Sequence, residues 1–168
     1  GREEYQVKKT LALIVSLFLL SCLTGCFFSP NNAKPVEQNG EGALGSYYVK
    51  ITDHFAAKTV SGKDVFILSF DFTNNGGHGV TAASALGLTL FQSGIELSPA
   101  SILFPISGYS SSNYHTKVKD GATLNCQAAF YLRSTTDPVE VEIAHSFSFG
   151  MEAVTAKLDI AAESQPNP

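Results

Sequence analysis

"DVFILSFDFT", residues Asp64 to Thr73, is the stretch that decides the fold. Phe66, Leu68, Phe70 and Phe72 recur at every second position. Successive residues of a strand point to opposite faces, so these four share one face. The other face passes from Val65 and Ile67 to Ser69, Asp71 and Thr73. The stretch therefore reads as a strand covered on both sides where it starts and wet on one side where it ends. Phe, Val, Ile and Thr fit a pleated, half-buried surface, which strengthens the assignment.

The same alternation recurs outward from this strand. Tyr47, Val49 and Ile51 give an earlier strand, and Leu86, Leu88 and Leu90 a later one. Gln92-Ser93-Gly94 then turns the chain toward Ile95 and Leu97, which predicts a hairpin. In "TLNCQAAFYLR", Thr123 to Arg133, the residues Leu124, Cys126, Ala128, Phe130 and Leu132 fall on one face. Asn125, Gln127, Tyr131 and Arg133 fall on the other. Cys126 thus sits among apolar residues, where an unpaired cysteine acts as a small hydrophobe. Val139, Val141 and Ile143 alternate with Glu140 and Glu142, and the segment from Phe147 to Leu158 changes phase near Glu152, as at a bulge or bend.

The sum is about seven strands between residues 46 and 160, separated by Gly-, Asn- and Pro-bearing turns. That spacing predicts an all-β domain, an immunoglobulin-like antiparallel β-sandwich, with a small closed barrel as the alternative. Composition agrees: 44% of the 168 residues are apolar, no Trp is present, and charged residues are only 15%. From Cys26 onward eight Lys and Arg face thirteen Asp and Glu, a net charge of −5. A mildly acidic chain without a basic stripe argues against nucleic acid, whose phosphates dominate such binding.

Three segments together resemble a known family. "GKDVFILSFDFTNN" (62–75), "LFQSGIEL" (90–97) and "VKDGATLNCQAAFYLRSTTDPVEVEI" (118–143) are similar to bacterial, mainly Gram-positive, lipoproteins with an immunoglobulin-like, telokin-like extracytoplasmic domain. The shared pattern is Phe-Thr-Asn-Asn at Phe72 to Asn75, then an aromatic-Gln-x-Gly turn at Phe91, Gln92 and Gly94. A strand rich in Tyr and Leu follows Gly121 and leads to Pro138-Val139. The resemblance implies a fold and a location; it carries no activity and no site residues. Asn tolerates positive φ and bonds back to nearby backbone, so Asn74-Asn75 ahead of Gly76-Gly77 reads as a turn.

The N-terminal residues supply the address. Lys8 and Lys9 precede the apolar run Leu11 to Leu20, and small residues lead to Cys26, the order of a secretory signal. The run is short of the ~20 residues a bilayer span needs. Leu23-Thr24-Gly25-Cys26 resembles the lipobox of bacterial lipoproteins. By that resemblance residues 1–25 are a signal peptide and Cys26 becomes the new N-terminus. Diacylglycerol on its thiol would anchor the protein to the outer side of the cell membrane. The signal order makes Val7, read from a GTG codon, the expected start of translation. Residues 26–45 read as a flexible tether and residues 161–168 as a disordered tail.

No motif for chemistry accompanies this address. His54, His78, His115 and His145 are dispersed, and the chain lacks a Gly-x-Ser-x-Gly elbow, an HExxH pair and a Cys-x-x-Cys. The expectation is a non-catalytic module without cofactor or metal, for binding or scaffolding at the cell surface. Its partner would be an envelope protein or a glycan. The alternatives are a small-ligand or glycan-binding component of envelope transport or maintenance, and an enzyme with a composite site. The candidate binding loop is "PISGYSSSNYHT", Pro105 to Thr116, with Tyr109, Tyr114 and His115. Tyr among Ser, Gly and Asn resembles antibody contact loops. The same composition suits a polar loop whose tyrosines pack on a sheet edge, and both readings stand.

Overall fold

The computed structural model describes residues 40–102, 105–146 and 152–160. The signal peptide, Cys26, most of the expected tether, the tail 161–168 and the segment before Glu152 lie outside the described residues. Ten strands follow in order: β1 (Glu41–Leu44), β2 (Tyr47–Lys58), β3 (Asp64–Asn74), β4 (Val80–Thr81), β5 (Leu86–Gln92), β6 (Ile95–Glu96), β7 (Lys117–Val118), β8 (Thr123–Tyr131), β9 (Val139–His145) and β10 (Ala153–Leu158). A single helical turn, α1 (Ala82–Ala85), precedes β5, and a 3₁₀ turn (Asn113–His115) precedes β7. Three of the strands span two residues each, so seven longer ones carry the architecture; six of them, all but β1, fall where the sequence predicts strands, and the predicted arm at Ile95–Leu97 is the two-residue β6.

Two four-stranded antiparallel sheets form, in the orders β1-β2-β3-β8 and β10-β9-β5-β6, beside the small pair β4-β7. The inward residues of both sheets share one buried cluster, which makes the domain a β-sandwich. Phe66, Leu68, Phe70 and Phe72 of β3 are each fully buried in it. Leu86 and Leu90 of β5 and Val139, Val141 and Ile143 of β9 come from the opposite sheet. Cys126 of β8 is also fully buried here, and burial pushes its thiol up to about 11.

The other face of β3 behaves as its sequence suggests. Val65 and Ile67 are fully buried, with Ala129 beside them, under Ala100, Ile102, Ile106 and Tyr109 of the segment that follows β6. Ser69 is still buried, but Asp71 and Thr73 are half-exposed. Covered hydrophobes thus mark where a loop crosses the sheet, and polar residues mark where it does not.

Strand β1 departs from the sequence reading, which placed residues 26–45 in the tether. "EGAL" has one large apolar residue and no alternation to see. Pairing with β2 supplies its backbone partners, and Leu44 is buried. Gly40, just before it, donates to Thr155 O (3.1 Å) and accepts from Ile51 N (2.7 Å), so the two sheets are stitched along this edge. A bulge between Ile51 and Asp53 in β2 was equally invisible in the sequence.

Candidate functional site

The loop from Pro105 to Thr116 is held down along most of its length. Gln127, on the outer face of β8, accepts from Ser110 N (2.8 Å) and donates to Gly108 O (3.0 Å) and Ser69 Oγ (2.9 Å). Asn113 Nδ2 donates to Asn125 O (2.9 Å). Upstream, Ala100 N donates to Ala129 O (2.8 Å) and Tyr131 N donates to Ser98 O (2.9 Å). The loop and its approach therefore occupy the outer edge of β8, a row of backbone groups that would otherwise invite another strand.

The three residues singled out in this loop go to different places. Tyr109 is half-buried against the Val65–Ile67–Ala129 cluster on the outer face. Tyr114 packs against the inner cluster, edge-on to Phe70 with ring centres 6.2 Å apart. Burial raises its phenol pKa, with the Cys126 charge adding. His115 is exposed, its ring edge-on to Tyr114 at 5.2 Å. The fold brings Tyr114 and His115 together and sends Tyr109 to the other side of the sheet. Cys26 lies outside the described residues.

The two ends of the sandwich are each built around a buried amide. At one end Asn74 is fully buried; its Nδ2 donates to His78 O (2.6 Å) and Val118 O (2.9 Å), and its Oδ1 accepts from Gly76 N (2.9 Å). At the other, Gln92 Nε2 donates to Ser134 O (3.0 Å) and Asp137 O (2.8 Å). Gln92 Oε1 accepts from Arg133 N (2.9 Å) and Ser134 N (3.1 Å). All four of its hydrogen-bonding positions are thus used. Ser93 and Gly94 both have positive φ (50° and 76°), the two-residue turn that suits the twist of a hairpin.

Beside Gln92 an open groove of about 400 Å³ is formed by residues from three separate segments. Lys63 and Asp64 lie where the chain enters β3, Glu96 ends β6 with Ser98 just beyond it, and Tyr131 ends β8 and leads into Leu132 and Arg133. Leu132 N donates to Asp64 O (3.0 Å), which ties two of these walls together. Lys63 Nζ lies 5.0 Å from the centre of the Tyr131 ring, and Asp64 is paired with Lys58 at 2.5 Å. Among the described residues Lys63, Arg133 and Glu96 make no ion pair. The groove is not legible in the sequence, where Tyr131 and Arg133 read only as the outward side of a strand. The one hint was that Arg133 is the sole arginine after Arg2.

His54 and His145 are each engaged by local partners. His54 stacks on Phe66 (5.5 Å) with Nε2 2.9 Å from Asp159 O, and His145 stacks on Tyr47 (5.3 Å). Among the described residues no group of three or more His, Cys, Asp or Glu is placed to hold a metal ion. No helix among them is long and apolar enough to cross a membrane.

Among solved structures, the chain is similar to one from Staphylococcus aureus described as "a putative lipoprotein", with 12% identity and a TM-score of 0.56. The match covers 72% of this chain and 90% of that one. It is also similar to an uncharacterized beta-sandwich protein from Clostridium difficile, with 11% identity and a TM-score of 0.50, covering 77% of this chain and 99% of that one. At these identities the likeness is one of fold. No curated protein matches the chain. The profile of one family, described as a domain of unknown function (DUF5067), matches residues 29–145, well over half of the sequence. The chain belongs to the DUF5067 family.

Proposed function

We propose that this protein is an envelope lipoprotein, anchored through diacylglycerol on Cys26, whose sandwich is a non-catalytic module for binding or scaffolding at the cell surface. The observation that carries the proposal is Leu23-Thr24-Gly25-Cys26 directly behind the apolar run Leu11 to Leu20. The S. aureus protein described as "a putative lipoprotein" supports it. The strand orders support an immunoglobulin-like reading of the sandwich. One sheet holds β2, β3 and β8 where such domains hold A, B and E; the other holds β10, β9 and β5 where they hold G, F and C. Two acyl chains on one cysteine give the stable attachment that a single chain does not.

The test is detergent-phase partition and fatty-acid labelling of the full protein beside a Cys26→Ser variant. The native protein should take up label and enter the detergent phase, and the variant should do neither. A labelled Cys26→Ser variant would end the lipoprotein reading. Crosslinked capture from intact cells with both forms then asks for a partner; enrichment only with the anchored form supports a surface module. A second reading, a small-ligand site, is favoured by the groove at the Gln92 end.

A further inference from the structure

We propose that the groove between Lys63, Glu96 and Arg133 binds a short peptide by its two free ends. Arg133 and Lys63 would take the carboxylate and Glu96 the ammonium. This deepens the binding-module reading and rests on it. A volume of about 400 Å³ suits a ligand of one or two amino-acid residues, at the small end of ligand sites.

The walls are preformed. The Gln92 side chain fixes the backbone at Arg133 and Ser134, Leu132 N is bonded to Asp64 O, and Tyr131 N is bonded to Ser98 O. Little ordering is left for the ligand to impose. The charges decide its class. Lys50, Lys58 and Lys157 are each committed to a carboxylate of this chain, whereas the two cations of the groove, like Lys117 and Lys119 elsewhere, are not. Arg presents a planar fork that matches a carboxylate, and the Lys ammonium adds a point charge. Of the two carboxylates lining the groove, Asp64 is occupied by Lys58 and Glu96 is available. Uncommitted charges of both signs in one small groove complement a zwitterion better than a simple anion. An acidic sugar fits less well, because it would want an open aromatic face. Tyr131 has Lys63 over its ring and packs its body against the Val65–Ile67–Ala129 cluster.

The experiment is a titration of the isotope-labelled full chain in detergent micelles, followed through its backbone amide signals. The probes are dialanine, dialanine C-terminal amide, N-acetyl-dialanine, inorganic phosphate and glucuronate. Dialanine should give saturable shifts at Lys63, Leu132 and Arg133, and both blocked forms should bind more weakly. Arg133→Gln should weaken dialanine about tenfold, the worth of one charge-assisted hydrogen bond. Glu96→Gln should weaken dialanine and leave N-acetyl-dialanine unchanged, which separates loss of the ammonium contact from a damaged fold. Lys63→Gln is the second variant should Arg133→Gln alter signals away from the groove. Absence of saturable shifts overturns the proposal, as does phosphate or glucuronate binding as tightly as dialanine. If dialanine fails while crosslinked capture still enriches a partner with the anchored form, the groove assignment falls and the surface-module reading stands.

Discussion

The Asn74 end and the Gln92 end of the sandwich solve one problem in one way and arrive at different surfaces. Each sinks a primary amide among loop carbonyls and amides that the sheets cannot satisfy. Asn74, with the shorter arm, ties the turn that follows it to Val118, and the loops there close over each other. Gln92 reaches across to a loop more than forty residues away in sequence and fixes its backbone at Arg133 and Ser134, one residue beyond the Leu132 N–Asp64 O bond to β3. The groove lies beside this loop, and of its charged lining residues Lys63, Glu96 and Arg133 make no ion pair among the described residues, while Asp64 is paired with Lys58. A buried polar residue that builds a site's frame is therefore distinct from the exposed residues that would use it. Both amides belong to the segments by which the sequence resembles its family, so those segments report architecture.

That contrast can be broken most severely at Gln92. Gln92→Ala strands two backbone N–H groups and two carbonyls; at roughly 1–3 kcal/mol for each group left buried and unpaired, and with water reaching some of them, a loss of about 3 kcal/mol is expected. Denaturant melts should register it, and dialanine binding should vanish as the Arg133 backbone loosens. Asn74→Ala removes three bonds at the opposite end and should cost about 2 kcal/mol by the same reasoning, with groove affinity unchanged. Equal loss of binding in both variants would mean that the ends are not independent.

The midpoint of the sandwich gives a pH test that touches neither end. Burial raises the Cys126 thiol to about 11 from an ordinary 9.0, with the Asp71 charge adding. As pH rises the unfolded chain therefore loses this proton first. The stability contribution is whole below about pH 9 and drains away between about 9 and 11. Tyr114, also raised, acts in the same direction. Urea melts across this window should show falling stability, and Cys126→Ala should flatten part of the fall. The smallest effect belongs to the groove itself: Arg133→Gln is a change at an exposed side chain and should alter stability by no more than about 0.5 kcal/mol, while changing ligand affinity. A large stability loss there would show that the groove's charges serve the fold.

The sequence alone determined the strand face of β3, the hairpin at Ser93-Gly94, the inward position of Cys126 and the sandwich class. Each of these rests on the two-residue period of a strand or the backbone demands of a tight turn, which are local properties. It also held the lipobox-like Leu23 to Cys26, a linear signal. Strand β1 and the bulge near Thr52 were out of reach, because "EGAL" becomes a strand only when β2 supplies its partners. The burial of Tyr109 and Tyr114, the roles of Asn74 and Gln92, and the groove were decided by tertiary structure. Their contacts join residues between two and seventy positions apart, and nothing in the local pattern says which loop a long side chain will meet once the sheets have packed.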